Sequence, residues 1–338
     1  MTATASHRTR QPAGITVGGQ FAVEPHTETG VTLTAPPVQE TAFTKRYDTL
    51  QEKLDAFGTE LEQRVADLAN DENWQAWLDT AAKFHRYSFT NQMLIAVQRP
   101  NATRVAGYRK WEEMGRQVMK GEKGISILAP RKVRVTVTDS AGNPVRDEKG
   151  KPKKELKVVG FTTATVFDVS QTDGDPLPEL KDDLSTEPPA GYIADLEKAI
   201  TTRGFTVSYE SDLPGGARGY SSPDGRVVVR ESLSPAMRAK VLAHELGHIA
   251  AGHLDELEEY HTGHGGHRGR MEVEAESIAY TLCRANGMST EVGDVSGTYV
   301  AGWAGAAEPD VVKASAQKVS KTVATLLGQG DWTNVESI

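Results

Sequence analysis

The sequence predicts an α+β protein with two domains, and three observations support this prediction. A histidine–glutamate pattern, HELGH, occupies residues 244–248 within an apolar repeat typical of a helix. Residues 83–134 are strongly basic, although the whole chain has a formal net charge of −8. Between these regions, residues 171–190 are acidic and contain prolines, as linkers often do. We therefore expect an N-terminal domain of helices and a small sheet, followed by a domain built around the HELGH helix.

The N-terminal half is predicted to start with a disordered arm, because residues 1–42 are rich in Thr, Gly, Ala and Pro without a hydrophobic period. Apolar spacing then predicts helices over residues 45–68 and 72–98, with helix and loop up to residue 123. Strands follow, the last two closed as a hairpin, at residues 124–128, 132–138 and 156–167. Residues 43–170 form the first predicted domain.

The C-terminal half, residues 191–338, forms the second predicted domain. Its first elements are a helix over residues 192–203 and strands over 205–210 and 225–230. The strand at 225–230 leads directly into the HELGH helix. Strands in this position often bind an extended peptide in zinc peptidases, so we predict edge pairing with a substrate here.

The HELGH pattern predicts a zinc site. On an α-helix, His244 and His248 lie one turn apart on one face, so both imidazoles can reach the same ion. Glu245 is then placed as the catalytic base that takes a proton from the attacking water. Ser234 as N-cap and Pro235 at the first helical position support a helix here. We predict Zn²⁺ as the cofactor, with His244 and His248 as ligands.

A third ligand is required, and the residues leave several arrangements open. The class with a later histidine, HExxHxxGxxH, is excluded because residue 254 is Leu, and His253 lies one position out of register. A helix predicted over residues 271–280 offers Glu272 and Glu274 beside its buried face, and helical geometry does not choose between them. Glu276 lies further from that position.

The segment between these two helices gives a second arrangement. It contains three histidines that can coordinate zinc, although its glycines are more typical of a solvated loop. These are His261, His264 and His267.

The two helices resemble a known family. The HELGHIAAGH helix followed by VEAESIAY is similar to minimal gluzincin domains of the ImmA/IrrE type. In that family the glutamate directly before the alanine of an EA pair is the third zinc ligand. The resemblance therefore implies that Glu274 is the third ligand and that the domain has a metallopeptidase fold.

The basic segment predicts a polyanionic partner. Residues 83–134 contain 12 Lys and Arg and 3 Glu, a balance of +9, so the remainder of the chain carries −17. Phosphate neutralisation by such cations drives nucleic-acid binding. Aromatic residues are interleaved with the charges, and unpaired bases stack on exposed rings while cations follow the backbone. Some rings must be core, because Phe84 and Trp111 have helical spacing with apolar neighbours.

The amino-acid sequence of this segment indicates its family more specifically than its composition does. The run FHRYSFTNQMLIAVQRPNATRVAGYRKWEEMGRQVMKGEKGISILAP, followed by GFTTATVFDVSQTDGDPLP, resembles the N-terminal single-stranded-DNA-binding domain of the ArdC antirestriction family. With the HELGH domain and the closing SGTYVAGWAG…VKASAQKVSKTVATLL, the resemblance covers about residues 45–328. It implies a protein of mobile genetic elements that protects incoming DNA from restriction. A charged insert, AGNPVRDEKGKPKKE, leaves the outer edge of the DNA-binding domain undefined.

Nine residues are predicted to contact single-stranded DNA. Tyr87 and Trp111 are expected to stack on bases, Asn91 to bond a base or sugar, and the cations to contact phosphates. The predicted set is Arg86, Tyr87, Asn91, Arg104, Arg109, Trp111, Arg116, Lys120 and Lys123.

Other features bound the location and the function. No stretch has the apolar length of a membrane span, and the N-terminal residues lack the apolar block of a signal peptide, so we expect a cytoplasmic protein. Cys283 is the only cysteine and is most simply a buried residue. The sequence thus predicts a single-stranded-DNA-binding antirestriction protein with a zinc metallopeptidase domain. A DNA-triggered peptidase that cleaves a host regulator is the alternative, and a zinc-dependent nuclease is less favoured because nucleases usually use two metals and many carboxylates.

Overall fold

The computed structural model describes residues 42–43, 45–177, 186–256, 267–289 and 308–328. All of them belong to one unit that spans residues 42–338. The arm predicted for residues 1–42 lies outside the described residues except for Ala42. None of the described helices combines the length and the apolar composition needed to cross a membrane.

Three helices open the described chain: α1 (Leu50–Asp67), α2 (Asp71–Lys83) and α3 (Phe89–Gln98). The single helix predicted over residues 72–98 is two helices, because the chain turns after Lys83. The side chain of Gln92 stabilises that turn by donating to the carbonyls of Phe84 (3.2 Å) and Tyr87 (3.1 Å). Ser88 then caps α3, and its hydroxyl accepts from a backbone N–H of the first turn.

An antiparallel sheet follows, with strand order β1-β4-β3: β1 (Val105–Gly107), β3 (Ile125–Thr136) and β4 (Lys154–Asp168). The strands predicted at 124–128 and 132–138 are one strand, β3, with a bulge between Pro130 and Lys132. The predicted hairpin is confirmed, since β3 and β4 pair up to Thr136 and Lys154. The part of the sheet where β1, the start of β3 and the end of β4 lie side by side packs on α3. The small core between them contains Ile95, Val105, Ile125, Ile127 and Val166.

A short helix and a second ribbon complete the N-terminal part: α4 (Tyr108–Glu113), β2 (Arg116–Val118) and β5 (Thr172–Gly174). β2 and β5 pair antiparallel. The first residues of the predicted linker, 171–190, therefore belong to the N-terminal fold. The Asp168 carboxylate organises this corner by accepting from the backbone N–H groups of Thr103 (2.8 Å) and Ser170 (3.0 Å).

The C-terminal part begins with α5 (Tyr192–Thr201) and a three-stranded sheet: β6 (Thr206–Glu210), β7 (Gly219–Ser222) and β8 (Arg226–Arg230). The strand order is β6-β8-β7, with β6 parallel and β7 antiparallel to β8. β8 is the predicted edge strand, and that prediction is wrong because both of its edges are already paired. β7, which the sequence did not predict, lies at the edge of the described sheet.

Three long helices cover this sheet and the helices α1–α3: α6 (Pro235–Ala250), α7 (His267–Ala285) and α8 (Pro309–Gly328). The predicted cap is confirmed, since the Ser234 hydroxyl accepts from the Met237 N–H. α6 and α7 approach closely at Gly247, where a Cβ atom would lie 2.9 Å from the carbonyl oxygen of Ala275. Only glycine allows this separation between the two helices.

One hydrophobic core joins the two halves. Trp74, Trp77 and Leu78 of α2 are buried in the same cluster as Leu242 and Leu246 of α6. Polar contacts cross the same boundary. The indole of Trp74 donates to Ser277 (2.9 Å), and Asp79 accepts from the Tyr280 hydroxyl (2.6 Å) and pairs with Arg284 (3.1 Å). The N-terminal helices therefore pack directly on the helix that follows the HELGH segment.

Candidate metal centre and nucleic-acid interface

The two histidines of HELGH converge on one point. Because they occupy successive turns of α6, their Nε2 atoms lie 3.1 Å apart. His248 is buried, whereas the His244 side chain keeps about a quarter of its surface exposed. The arrangement places one ligand towards the protein interior and one towards solvent.

A carboxylate from α7 completes the group. An oxygen of Glu272 lies 3.5 Å from Nε2 of His244 and 3.8 Å from Nε2 of His248. Donor atoms that surround one zinc ion tetrahedrally lie about 3.3–3.5 Å apart, given metal–ligand bonds of about 2.0–2.2 Å. His244, His248 and Glu272 therefore fit a divalent cation. Imidazole and carboxylate donors suit several such ions.

The predicted third ligand, Glu274, occupies a different position. Its carboxylate is buried against His253, with 2.9 Å between Glu274 Oε2 and His253 Nε2. Glu272 and Glu274 are two residues apart, so they project from different sides of α7. The structure thus brings Glu272, and not Glu274, to the two histidines. The runner-up arrangement with His261, His264 and His267 lies outside the side chains that the structure describes.

Glu276, one turn after Glu272, supports the outer ligand. Its Oε2 lies 2.9 Å from Nδ1 of His244. A carboxylate on the second nitrogen of a metal-binding histidine fixes the ring orientation and makes the ring a stronger ligand. Sequence reasoning missed this role, although the i, i+4 spacing of Glu272 and Glu276 could have indicated it.

The carboxylates also set the protonation of the site. Burial lowers the pKa of His244, but hydrogen bonds to Glu272 and Glu276 and the charge of Glu245 raise it to about 10. Burial raises the pKa of Glu272, but its contacts with His244 and His248 hold that pKa far below its usual value. The raised pKa of His244 reflects the carboxylates around it, and the lowered pKa of Glu272 keeps that carboxylate ionised and available to a cation.

Glu245 and the outer ligand face a cavity of about 290 Å³. Its walls include Gly219 of β7, His244, Glu245, Glu276 and Tyr280. Gly219 packs so tightly that a Cβ atom there would lie 2.5 Å from Val241 and 3.6 Å from a carboxylate oxygen of Glu245. The edge strand β7 therefore runs beside the predicted catalytic glutamate.

Cys283 also lines this cavity and is almost completely buried. Burial raises the pKa of its thiol to about 12, so it stays protonated and packs as a small apolar residue.

Four of the predicted DNA contacts are exposed cations. In the part of the chain that the structure describes, no side-chain hydrogen bond involves any of them. These cations are Arg86, Arg109, Lys120 and Lys123. Arg104 is partly buried and has a partner within the protein. Arg86 lies in the turn between α2 and α3, Arg109 lies in α4, and Lys120 and Lys123 lie in the turn between β2 and β3.

Four other predicted contacts have structural roles, and they are Tyr87, Asn91, Trp111 and Arg116. Trp111 is fully buried and its indole donates to the Phe167 carbonyl (2.9 Å), so the stacking role predicted for it is contradicted. Asn91 is also buried, and its amide exchanges two hydrogen bonds with the backbone of Leu128. The guanidinium of Arg116 binds the β5 segment, including the Thr172 hydroxyl at 2.8 Å.

Tyr87 is half-buried and packs against the small core. Its hydroxyl donates to the Val105 carbonyl (3.2 Å), and burial raises its pKa. The exposed ring in this region is that of Tyr108, at the start of α4, which is 48% exposed. Tyr108 was not among the nine predicted contacts, although it is one of the aromatic residues of the basic segment.

Family models match the two halves of the chain. The model of the N-terminal domain of the anti-restriction factor ArdC matches residues 47–167. The model of the IrrE N-terminal-like domain matches residues 203–283, which include His244, His248 and Glu272. The chain therefore contains one segment that matches the ArdC N-terminal domain and a second that matches the IrrE N-terminal-like domain. Both resemblances seen in the sequence are thus confirmed, as is the two-domain α+β fold.

Several curated proteins are similar to this chain. The uncharacterized protein pXO2-81 of Bacillus anthracis is 24% identical over 66% of this chain and 41% of its own length. The uncharacterized protein y4eC of Sinorhizobium fredii is 27% identical over 68% of this chain and 70% of its own length. The DNA primase TraC of Escherichia coli is 29% identical over 51% of this chain and 12% of its own length. The chain thus spans about two fifths of the first relative and a small part of the primase.

Two solved structures of the antirestriction protein ArdC from plasmid R388 are also similar. The metal-free structure is 24% identical, with a TM-score of 0.43 over 72% of this chain and 83% of that chain. The Mn(II)-bound structure is 23% identical, with a TM-score of 0.46 over 82% of this chain and 99% of that chain.

Proposed function

We propose that this protein is a single-stranded-DNA-binding antirestriction protein of a mobile genetic element, with a zinc-dependent peptidase site in its second domain. The convergence of His244, His248 and Glu272 beside Glu245 is the observation that carries the enzymatic part. The ArdC N-terminal domain supports the DNA-binding and antirestriction parts. Its place of action is the cytoplasm, where incoming DNA meets restriction enzymes.

Each residue of the site has a distinct role in this proposal. His244, His248 and Glu272 hold the ion, which when bound polarises a carbonyl group and makes water more acidic. Glu245 accepts a proton from the attacking water and delivers it to the leaving amine. Glu276 orients His244 through its Nδ1 atom. Glu272 thus takes the ligand role that the family resemblance assigned to Glu274.

The substrate of the site is a peptide in extended conformation. Among the described residues, β7 pairs only with β8, which leaves its other edge with free backbone groups. A peptide added to that edge forms main-chain hydrogen bonds and passes beside Glu245. This edge replaces the one that the sequence had assigned to residues 225–230.

The N-terminal domain binds the DNA strand through exposed cations and one exposed ring. Arg86, Arg109, Lys120 and Lys123 contact phosphates, and Tyr108 stacks on a base. The exposure of these five side chains and the excess of positive charge in their segment support the proposal.

A second function is favoured by the contacts between α2 and α7. α2 belongs to the ArdC N-terminal domain, whereas α7 carries Glu272 and Glu276. Tyr280 lines the cavity, and its hydroxyl donates to Asp79 of α2. DNA binding can therefore act on the peptidase site through the contact between Tyr280 and Asp79. The second candidate is thus a peptidase that is activated by DNA and cleaves a host regulator.

A nuclease is the least favoured function. Among the described residues, one group of three metal donors is found, and it contains two histidines and one carboxylate. Two-metal nucleases use sites richer in carboxylates.

The peptidase proposal is tested by comparing the wild type with Glu245→Gln and His244→Ala. Zinc content is measured by elemental analysis, and cleavage is measured with a quenched fluorescent peptide library in the presence and absence of a single-stranded oligonucleotide. We expect Glu245→Gln to keep stoichiometric zinc and lose cleavage, and His244→Ala to lose both. A zinc-free Glu245→Gln protein would show that Glu245 is a ligand instead of the base.

The DNA-binding proposal is tested by fluorescence anisotropy of a labelled single-stranded oligonucleotide and the matching duplex at two salt concentrations. We expect preferential binding to the single strand, with affinity that decreases as salt increases. Absence of binding to both forms would overturn this part and leave the peptidase part standing.

A further inference from the structure

His253 lies buried between the inner metal ligand and Glu274. Its Nδ1 is 3.0 Å from Nδ1 of His248, and its Nε2 is 2.9 Å from Oε2 of Glu274. The side chains of His253 and Glu274 are each only 2% exposed. We propose that His253 and Glu274, together with Ser315 and Lys318 of α8, are positioning residues that hold His248 in its metal-binding form. Helix α8 is then part of the metal centre. This inference rests on the metal site proposed above.

With Glu274 ionised and His253 neutral, the hydrogen bonds allow one assignment of protons. The carboxylate of Glu274 has no proton to donate, so Nε2 of His253 must carry one. A neutral His253 then accepts at Nδ1, which requires a proton on Nδ1 of His248. His248 is left with an unprotonated Nε2, the atom that faces His244 and Glu272. The buried chain therefore selects the tautomer of His248 that can bind a metal.

Helix α8 fixes the far end of this chain. The hydroxyl of Ser315 donates to Oε1 of Glu274 (2.5 Å), and Nζ of Lys318 lies 3.3 Å from Oε2. Both carboxylate oxygens thus have partners, as a buried charge requires. Lys318 also reaches Glu256, on the turn that carries His253, at 3.7 Å. Ser315 and Lys318 are outside the residues matched by the IrrE N-terminal-like model, 203–283.

The two histidine ligands are therefore supported differently. His244 is oriented by Glu276, whose side chain is 32% exposed, whereas His248 is oriented through His253 and Glu274, whose side chains are each only 2% exposed. Water can compete with the first support but has little access to the second. We expect the position of His248 to be the better fixed of the two.

The test uses the full chain with substitutions along the buried path. His253→Leu removes both hydrogen bonds, while His253→Gln keeps an oxygen that can accept from His248 and an amide that can donate to Glu274. Ser315→Ala removes one of the two contacts between α8 and Glu274 and leaves the contact of Lys318 in place. Ser320→Ala is the matched control, because Ser320 is a buried serine of the same helix that contacts Gln92 instead.

The readouts are zinc affinity, measured by competition with a chromogenic chelator, and the visible absorption spectrum of the Co²⁺-loaded protein. Outer-shell substitutions weaken metal binding by about 10–100-fold, so we expect a loss in that range for His253→Leu, together with a changed cobalt spectrum. His253→Gln should recover part of the affinity. Ser315→Ala should lose less than His253→Leu, and Ser320→Ala should match the wild type.

Two outcomes would overturn the inference. Wild-type affinity and an unchanged cobalt spectrum in both His253→Leu and Ser315→Ala would make these residues packing residues only. A wild type that binds no zinc would also remove the proposed peptidase site, so the two failures are distinguishable. If His253→Leu does not fold, the comparison of His253→Gln and Ser315→Ala with Ser320→Ala decides.

Discussion

The metal centre and the basic region are built in different ways. At the metal centre, polar atoms from α6 and α7 meet at distances of 3.1–3.8 Å, and the neighbouring Glu274 is completely paired. In the basic region, the exposed cations lie on short elements and turns. Residues of this region whose side chains form hydrogen bonds within the protein, such as Asn91, stabilise the fold. The function proposed for the first region depends on fixed geometry, and the function proposed for the second depends on the number and exposure of its charges.

This difference determines how sensitive each region is to substitution. Loss of one ligand from a three-residue site removes a large part of the binding energy of the ion. Loss of one phosphate contact from an extended surface weakens DNA binding modestly and makes it less sensitive to salt. The four predictions below test this contrast.

Glu272→Ala is expected to have the largest effect. It removes one of three donor atoms, so stoichiometric zinc should be lost, whereas Glu276→Gln should keep zinc with an affinity lower by about 10–100-fold. Elemental analysis and chelator competition measure both. Full zinc occupancy in Glu272→Ala would show that the third ligand is another residue of α7.

Substitutions of Trp111 and Tyr108 should affect different properties, namely stability for Trp111 and DNA binding for Tyr108. Trp111→Ala removes a fully buried ring and should destabilise the protein by about 3–5 kcal/mol. Tyr108→Ala should leave stability near the wild type and weaken single-stranded DNA binding by about 1–3 kcal/mol, the usual contribution of one stacked base. Denaturant unfolding and anisotropy separate the two. Unchanged DNA affinity in Tyr108→Ala would exclude that ring from the interface.

Gly247→Ala tests the contact between α6 and α7. The new Cβ atom would meet the Ala275 carbonyl at 2.9 Å, so the helices must separate. We expect a loss of about 1–3 kcal/mol of stability and a lower zinc affinity. Gly58→Ala is the control, because the same atom meets nothing within 4 Å on α1 and should stabilise the helix by about 0.5–1 kcal/mol. Equal effects of the two changes would contradict a special role for the close contact.

The smallest effect is expected for the pair Lys120→Ala, Lys123→Ala. Both side chains are exposed, so folding and zinc content should not change. Binding should weaken similarly for all single-stranded sequences, and the slope of log affinity against log salt should fall by about 1.4 for two lost phosphate contacts. An unchanged slope would place both lysines outside the DNA-binding surface.

The sequence predicted the metal helix well because its information is local. Cap, proline, apolar stripe and histidine spacing all belong to one segment, and α6 begins at the predicted Pro235. The choice between Glu272 and Glu274 is not local, since it depends on how α7 crosses α6. The close approach of the two helices at Gly247 and Ala275 is part of that crossing, and it leaves no periodic signal in the sequence.

The exposure of the residues proposed to contact DNA was predicted less well for a related reason. Composition identifies a basic, aromatic segment, but burial of a given ring depends on tertiary packing. Trp111 and Tyr108 are three residues apart on one short helix, but Trp111 is covered and bonds to the Phe167 carbonyl of β4, whereas Tyr108 is exposed. β7 was missed because its sequence, Gly-Tyr-Ser-Ser, has little strand propensity and pairs through its neighbour β8.

The packing of α2 on α7 also limits how this chain can be divided. A fragment that starts after the linker would expose the apolar surface that Trp74, Trp77 and Leu78 cover, and a fragment that ends before it would expose those three side chains. Either piece alone is prone to aggregation. The protein should instead melt in a single cooperative transition, and a protease cut between residues 177 and 186 should yield two pieces that co-purify.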